Sequence, residues 1–201
     1  RRGHRRDGPR APPPDAAGWF VYPCLHVASP PVIDGDLSDV AWQKSVPVSG
    51  FRYSASQLMA PYQTVMRLLW DHDWLYMVVD VEEPAMDKVV VTARGRDAYV
   101  FNDDSIEWFV HPWHSGDAYY QFGLNLAVGM WDSLRFEKAW DCEWRAAVKR
   151  GSDRWYAEAA MPLGPWGKRL LRPGDLWGFN LCRERQAGGS RELMNWANVL
   201  A

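Results

Sequence analysis

Phe101-Asn102-Asp103-Asp104-Ser105-Ile106-Glu107-Trp108-Phe109-Val110 is the stretch whose pattern decides the fold. Two acids and a serine run into an alternating apolar segment that carries one further acid, Glu107. A strand has period two, so Ser105, Glu107 and Phe109 share one face, while Asp104, Ile106, Trp108 and Val110 share the other. The second face can enter a core and the first can present a carboxylate to a groove. From these residues alone that carboxylate has three readings: it meets a sugar, a metal or an arginine.

The same grammar recurs on both sides. Residues 64–69 and 74–81 are apolar runs joined by Trp70-Asp71-His72-Asp73, which reads as a hairpin. Further strands are expected over 119–126, 130–133, 143–148, 155–160 and 177–183. Asp34-Gly35-Asp36 is a turn signal, and residues 37–42 have the length of one helical turn capped by Asp36 or Ser38. A second short helix is expected within 163–171, after Pro162. Short strands broken by glycine and proline, with little helical periodicity, predict an all-β fold. The expected architecture is an antiparallel, jelly-roll-like β-sandwich with one or two short helical turns, forming one domain over 19–201.

Composition narrows the classes. Lysine and arginine number 23 against 25 acids, a net charge of -2, so nothing in the balance calls for nucleic acid. No run approaches the roughly 20 apolar residues of a membrane helix, and no transmembrane segment is expected. Residues 1–18 carry Arg1, Arg2, Arg5, Arg6, Arg10 and Pro12-Pro13-Pro14 with almost nothing apolar, a composition that cannot bury a core. They read as a flexible basic tail: a solvated leader, an anchor for a partner or the remnant of a targeting segment. Cys24, Cys142 and Cys182 form no CxxC pair, which argues against a zinc or redox motif and leaves open one disulfide or three thiols.

Thirteen tryptophans are too many for one groove, so most must be structural. Trp42, Trp70, Trp108 and Trp177 lie in apolar strands or against the helical turn and are expected in the core. Trp113, Trp131, Trp140, Trp144 and Trp196 flank loops and are expected to be exposed. His111-Pro112-Trp113-His114, with Asp117 nearby, has two histidines three apart around a proline that forbids a regular helix, and reads as an exposed loop rather than a metal site. Glu107 with Glu158 or Asp104 would be the obvious pair for glycoside hydrolysis, but there is no GxSxG, phosphate loop or HExxH.

Ile33-Asp34-Gly35-Asp36-Leu37 is followed by Trp42, then Leu69-Trp70-Asp71 and Trp74-Leu75-Tyr76. Asp104-Ser105-Ile106-Glu107 with Phe109 comes next, then Tyr119-Tyr120 through Asn125 and Trp131-Asp132. Glu158 with Met161-Pro162, Pro173-Gly174-Asp175, Trp177-Gly178-Phe179-Asn180 and Arg183 close the series. In this order, over roughly residues 31–196, the chain resembles the family 9 carbohydrate-binding modules.

The resemblance implies a β-sandwich that binds a polysaccharide or other glycan without cleaving it, in an extracellular or cell-surface setting. Its well-known members clamp a terminal sugar between two tryptophans. Phe101 takes the place of one, and the other lies in a segment beyond Asn195-Trp196, past Ala201. Glu107 takes the place of the carboxylate that accepts from sugar hydroxyls, with Asn125 and Arg183 as supporting hydrogen-bonding groups and Trp196 as a further candidate. The family's arginine and glutamine fall on Gly123 and Cys182, so the expected site is half of a clamp. Glu107 has a second reading, an ion pair with Arg183 or Arg67 across the sheet.

No cofactor follows from the residues themselves. The resemblance implies a structural calcium in some members, for which Asp34, Asp36, Asp71, Asp73 and Asp104 are the candidates. A different class of function also stands open: an accessory subunit of a larger assembly, organelle- or assembly-bound, that uses the sandwich to dock other protein subunits.

Overall fold

The computed structural model describes residues 21–112, 119–135, 137, 139–166 and 171–197. The basic tail over 1–18, and Trp113, His114 and Asp117 of the histidine loop, lie outside the described residues.

The chain forms two packed sheets. Strands β1 (Leu25–His26), β3 (Thr64–Trp70), β4 (Trp74–Glu82), β8 (Arg145–Arg150) and β9 (Arg154–Pro162) make one, in the order β1-β3-β4-β9-β8. Strands β2 (Arg52–Tyr53), β5 (Ser105–His111), β6 (Tyr120–Asn125), β7 (Met130–Leu134), β10 (Gly178–Arg185) and β11 (Glu192–Asn195) make the other, in the order β2-β11-β10-β5-β6-β7. The strand pairings are antiparallel, as expected, except that the two-residue β1 runs parallel to β3.

Alternation sets what each sheet buries. Ile106, Trp108 and Val110 of β5 meet Phe122 and Leu124 of β6, Leu181 of β10 and the inner residues Met77, Val79, Ala157 and Met161 of the facing sheet. Trp108 stacks on Phe122 with centroids 5.4 Å apart and meets Trp144 edge-on at 5.3 Å. Truncating a buried ring of this kind to alanine costs about 3–5 kcal/mol.

The five-stranded sheet is covered on both faces, which is why β4 reads as a nearly unbroken apolar run. On its outer side Leu69, Tyr76, Val78 and Ala160 pack under Trp42, Ile33 and Leu37. Glu158 fastens this cover. It is fully buried and accepts from the Trp42 indole (2.6 Å) and from the backbone N–H groups of Asp34 (2.8 Å) and Gly35 (2.6 Å).

Two local expectations are corrected. The helix α1 spans Val40–Lys44 with Asp39 at its N-cap, and neither Asp36 nor Ser38 caps it. Asp36 instead accepts from the Ser38 N–H, an Asx turn ahead of the helix, and Asp39 accepts from the Val32 N–H (2.7 Å). After Pro162 the chain makes a 3-10 turn over Gly164–Trp166, inside the expected span, and residues 167–170 lie outside the described residues. Trp131, Trp144 and Trp196, expected at the surface, are buried, because ring packing and the Trp144 hydrogen bond to Asp132 (3.1 Å) hold them inside. All three cysteines are free thiols.

Candidate functional site

The outer face of the six-stranded sheet carries a small recess. In register, Glu107 of β5 lies between Cys182 of β10 and Gly123 of β6, and Gly123 lies beside Trp131 of β7. One step along, Gln121 pairs with Phe109 and with Ser133.

The loop before β5 folds back onto this face because two aspartates tie it down. Asp103 accepts from the Thr92 N–H (3.0 Å) and hydroxyl (2.7 Å), the Ala93 N–H (2.9 Å) and the Asn125 amide (2.7 Å). Asp104 accepts from the backbone N–H groups of Val90 (2.8 Å), Gln186 (2.9 Å) and Ala187 (3.3 Å). Val100 and Phe101 are thereby laid over Gly123, and a side chain there would strike Val100 and the Phe101 ring.

Three rings meet at this point. Tyr99, Phe101 and Trp131 contact one another edge-on, with centroids 5.1, 5.8 and 5.5 Å apart. Phe101 is 8% exposed and Trp131 5%, whereas Tyr99 is 56% exposed. The buried pair braces the tyrosine, which is the ring that solvent reaches.

Beside the rings runs a polar chain. The Trp131 indole donates to the Ser133 hydroxyl (3.3 Å), which donates to the Gln121 carbonyl oxygen (3.1 Å), and the Gln121 amide donates to the Glu107 carboxylate. Burial raises the Glu107 carboxyl, which the Gln121 hydrogen bond partly offsets, and it comes to about 7. Glu184 and Arg191 complete the lining, joined by two bonds of 2.8 and 3.1 Å. The recess holds about 230 Å³, below the ~300–1,000 Å³ of drug-sized pockets. Chemically it offers an exposed aromatic face, a half-buried carboxyl, an oriented amide and a guanidinium at the rim.

Of the residues expected from the sequence, Phe101 and Glu107 come together here. Asn125 does not reach the recess as a free group. Its two N–H bonds go to the Ala93 carbonyl and Asp103, and its oxygen accepts from Ala127 and Gly129, which fills its capacity. Arg183 is 1% exposed and bonds Glu83 (3.0 Å) and the Tyr62 carbonyl (3.2 Å). Trp196 lies in the main core. Glu107 pairs with neither expected arginine, since Arg67 donates to the Ser45 carbonyl.

Tyr99, Gln121, Glu184 and Arg191 were not expected. Gln121 carries a readable signal, sharing the outward parity of Gly123 and Asn125. Tyr99 sits in a loop with no periodicity to expose it.

The hydrolytic pairings fail on geometry. Glu158 is on the outer face of the other sheet under Trp42, and Asp104 is fully engaged by backbone. Nor do the calcium candidates converge. Asp34 and Asp36 make successive Asx turns, Asp71 holds the β3–β4 turn and the Tyr76 hydroxyl, and Asp104 is on the other sheet. Among the described residues no group of three or more His, Cys, Asp and Glu is placed to hold a metal ion.

A larger cleft of about 840 Å³ is lined by Trp74, Arg96, Asp141 and Arg145. Its groups are already engaged: Arg145 covers the Trp74 ring at 4.7 Å, and Arg96 bonds Asp132, Asp141 and the Cys142 carbonyl.

The sequence matches the model of the carbohydrate family 9 binding domain-like family over residues 33–200. The chain belongs to this family. Its fold is shared by solved structures of low sequence identity. One is a Bacteroides uniformis protein provisionally described as carbohydrate-binding, with TM-score 0.71, 14% identity and 89% of each chain covered. Another is a family 9 module of Caldicellulosiruptor kristjanssonii in complex with glucose, at TM-score 0.64 and 19% identity, covering 87% of this chain and 84% of the other. That organism's family 9 module in complex with cellotriose gives TM-score 0.63 and 18% identity, covering 87% and 83%. No curated protein matches the sequence. Within the family 9 frame of this chain, Gly123 and Cys182 flank Glu107, and no helix among the described residues is long and apolar enough to cross a membrane.

Proposed function

We propose that this family 9 domain binds carbohydrate non-catalytically in the recess over β5, β6 and β7, stacking one sugar ring on Tyr99 and directing Glu107 and Gln121 at its hydroxyls. The observation that carries this reading is the solvent-facing Tyr99 ring, braced by two buried rings and set beside an oriented carboxyl–amide pair. Sugar rings present apolar faces edged by hydroxyls, and an aromatic wall next to a group that both accepts and donates matches that surface. With Glu107 near 7, its carboxyl samples both forms in neutral solution. A single exposed ring makes the binding weak. An extracellular or cell-surface setting, where glycans are met, accords with this use.

Isothermal titration with cello- and xylo-oligosaccharides tests it. Saturable heat at millimolar sugar, lost in Tyr99→Ala and in Glu107→Ala, is the expected result. No heat from any of these sugars, or unchanged affinity in both variants, overturns it.

A further inference from the structure

The sheet supplies Glu107 with no counter-charge. Its register partners are Cys182 and Gly123, and the space above Gly123 is filled by the Phe101 ring. Its hydrogen-bond donor, Gln121, is neutral. A second carboxylate, Glu184, lines the same recess; it pairs with Ser105 in register and is therefore a diagonal neighbour of Glu107. Arg191 is the cation nearby, and it directs two nitrogens at Glu184. Among the described residues no lysine or arginine makes an ion pair with Glu107. The recess thus combines two carboxylates with one guanidinium, below an exposed tyrosine face that also attracts cations.

We propose that the ligand supplies the missing charge: the recess selects a sugar bearing a protonated amine, a 2-amino-2-deoxyhexose unit, with its ammonium between the Glu107 carboxylate and the Tyr99 ring. This rests on the recess being the sugar site. A free amine without a ring would leave the Tyr99 face and the Gln121 amide without hydroxyls to meet, and the volume suits one ring. The groups facing Glu107 are Glu184, which favours its protonated form, Arg191, which opposes it, and Tyr119 and Cys182, both influenced by its charge. An arriving ammonium keeps its own protons and displaces the Glu107 proton to solvent, so binding near neutrality releases a proton.

The test is calorimetric titration of the full chain at pH 6.5 with three trimers of one β-1,4 geometry: glucosamine, N-acetylglucosamine and glucose. The expected result is at least tenfold tighter binding of the glucosamine trimer than of the other two, with heats that vary between buffers of different ionisation enthalpy. Glu107→Gln, shown folded by its thermal transition, should bring that ratio close to one. Glu184→Gln should reduce it, and Arg191→Gln should widen it. Equal affinity for glucose and glucosamine trimers, or a preference unchanged in Glu107→Gln, overturns the amine selectivity while leaving a neutral-sugar site standing. Absence of heat from all three trimers, with cello- and xylo-oligosaccharides equally silent, overturns the sugar site itself and this inference with it.

Discussion

The ring of Phe101 lies where a side chain on Gly123 would be. A Cβ at position 123 would approach Cε1 of Phe101 to 3.2 Å and Cγ2 of Val100 to 2.7 Å. The glycine is there because a loop, rather than a neighbouring strand, supplies the surface above it. Gly123→Ala must therefore push the loop outward. Overpacking of this kind costs about 1–3 kcal/mol, read as a lower urea midpoint, and it should weaken glycan binding together with stability.

Tyr99 and Phe101 should separate binding from folding. Tyr99 is largely solvent-exposed, so Tyr99→Ala is expected to change stability by under about 1 kcal/mol while abolishing the calorimetric signal with sugar. Phe101→Ala removes a buried ring and should cost about 3 kcal/mol or more in denaturant unfolding.

A buried ionic cluster joins β10 to the end of β4. Glu83 accepts from Arg183 (3.0 Å), from Arg185 (2.6 and 3.0 Å) and from the Ala85 N–H (2.9 Å), while Arg185 also bonds Glu192 (2.6 Å). Glu83→Ala leaves two buried guanidiniums short of their partner. Breaking a buried pair from one side costs about 3–5 kcal/mol, and guanidinium chloride unfolding should show a loss of that size.

The pH dependence of stability carries a signature of Glu107. Its carboxyl is raised from 4.5 to about 7 in the folded chain, chiefly by burial. The folded state thus holds the proton more tightly than the unfolded state. The contribution is fully present below pH 4.5 and is lost as pH rises through about 7. Each tenfold difference in proton affinity between the two states is worth about 1.4 kcal/mol, which makes the loss on the order of 3–4 kcal/mol. Other carboxylates titrate too, so the measurement is the difference between wild type and Glu107→Gln. Relative to wild type, the variant should gain stability between pH 5 and pH 8. A difference that stays flat across that range would show that Glu107 titrates normally.

The sandwich was legible where alternation is strong. Strands β3, β4, β5 and β9 fall within a few residues of their expected spans, β5 because one face is apolar at period two and β4 because it is a nearly unbroken apolar run. The four-residue β11 and two-residue β2 carry too few positions for any period to show. The site was half legible. Glu107 betrays itself as an acid at an outward position of an apolar strand. Tyr99 gives no such sign, since its position depends on Asp103 and Asp104 bonding backbone across the fold. Asn125 and Arg183 looked available in sequence because hydrogen-bond saturation is a property of three-dimensional neighbours. Trp131 and Trp144 looked exposed because they flank loops, yet Trp131 packs with Val100 and Phe101, and Trp144 with Trp108 and Phe122.

The two aspartate anchors sit outside the recess they shape. Asp103 and Asp104 hold the loop at its root, and the Ala98 and Met130 amides hold its middle through the Met130 and Gly95 carbonyls. Tyr99 contributes only a side chain to this framework. Under the proposed reading, the groups that can be exchanged to change the ligand are Tyr99 and Arg191, exposed at the rim, while the tryptophan-packed interior stays as it is.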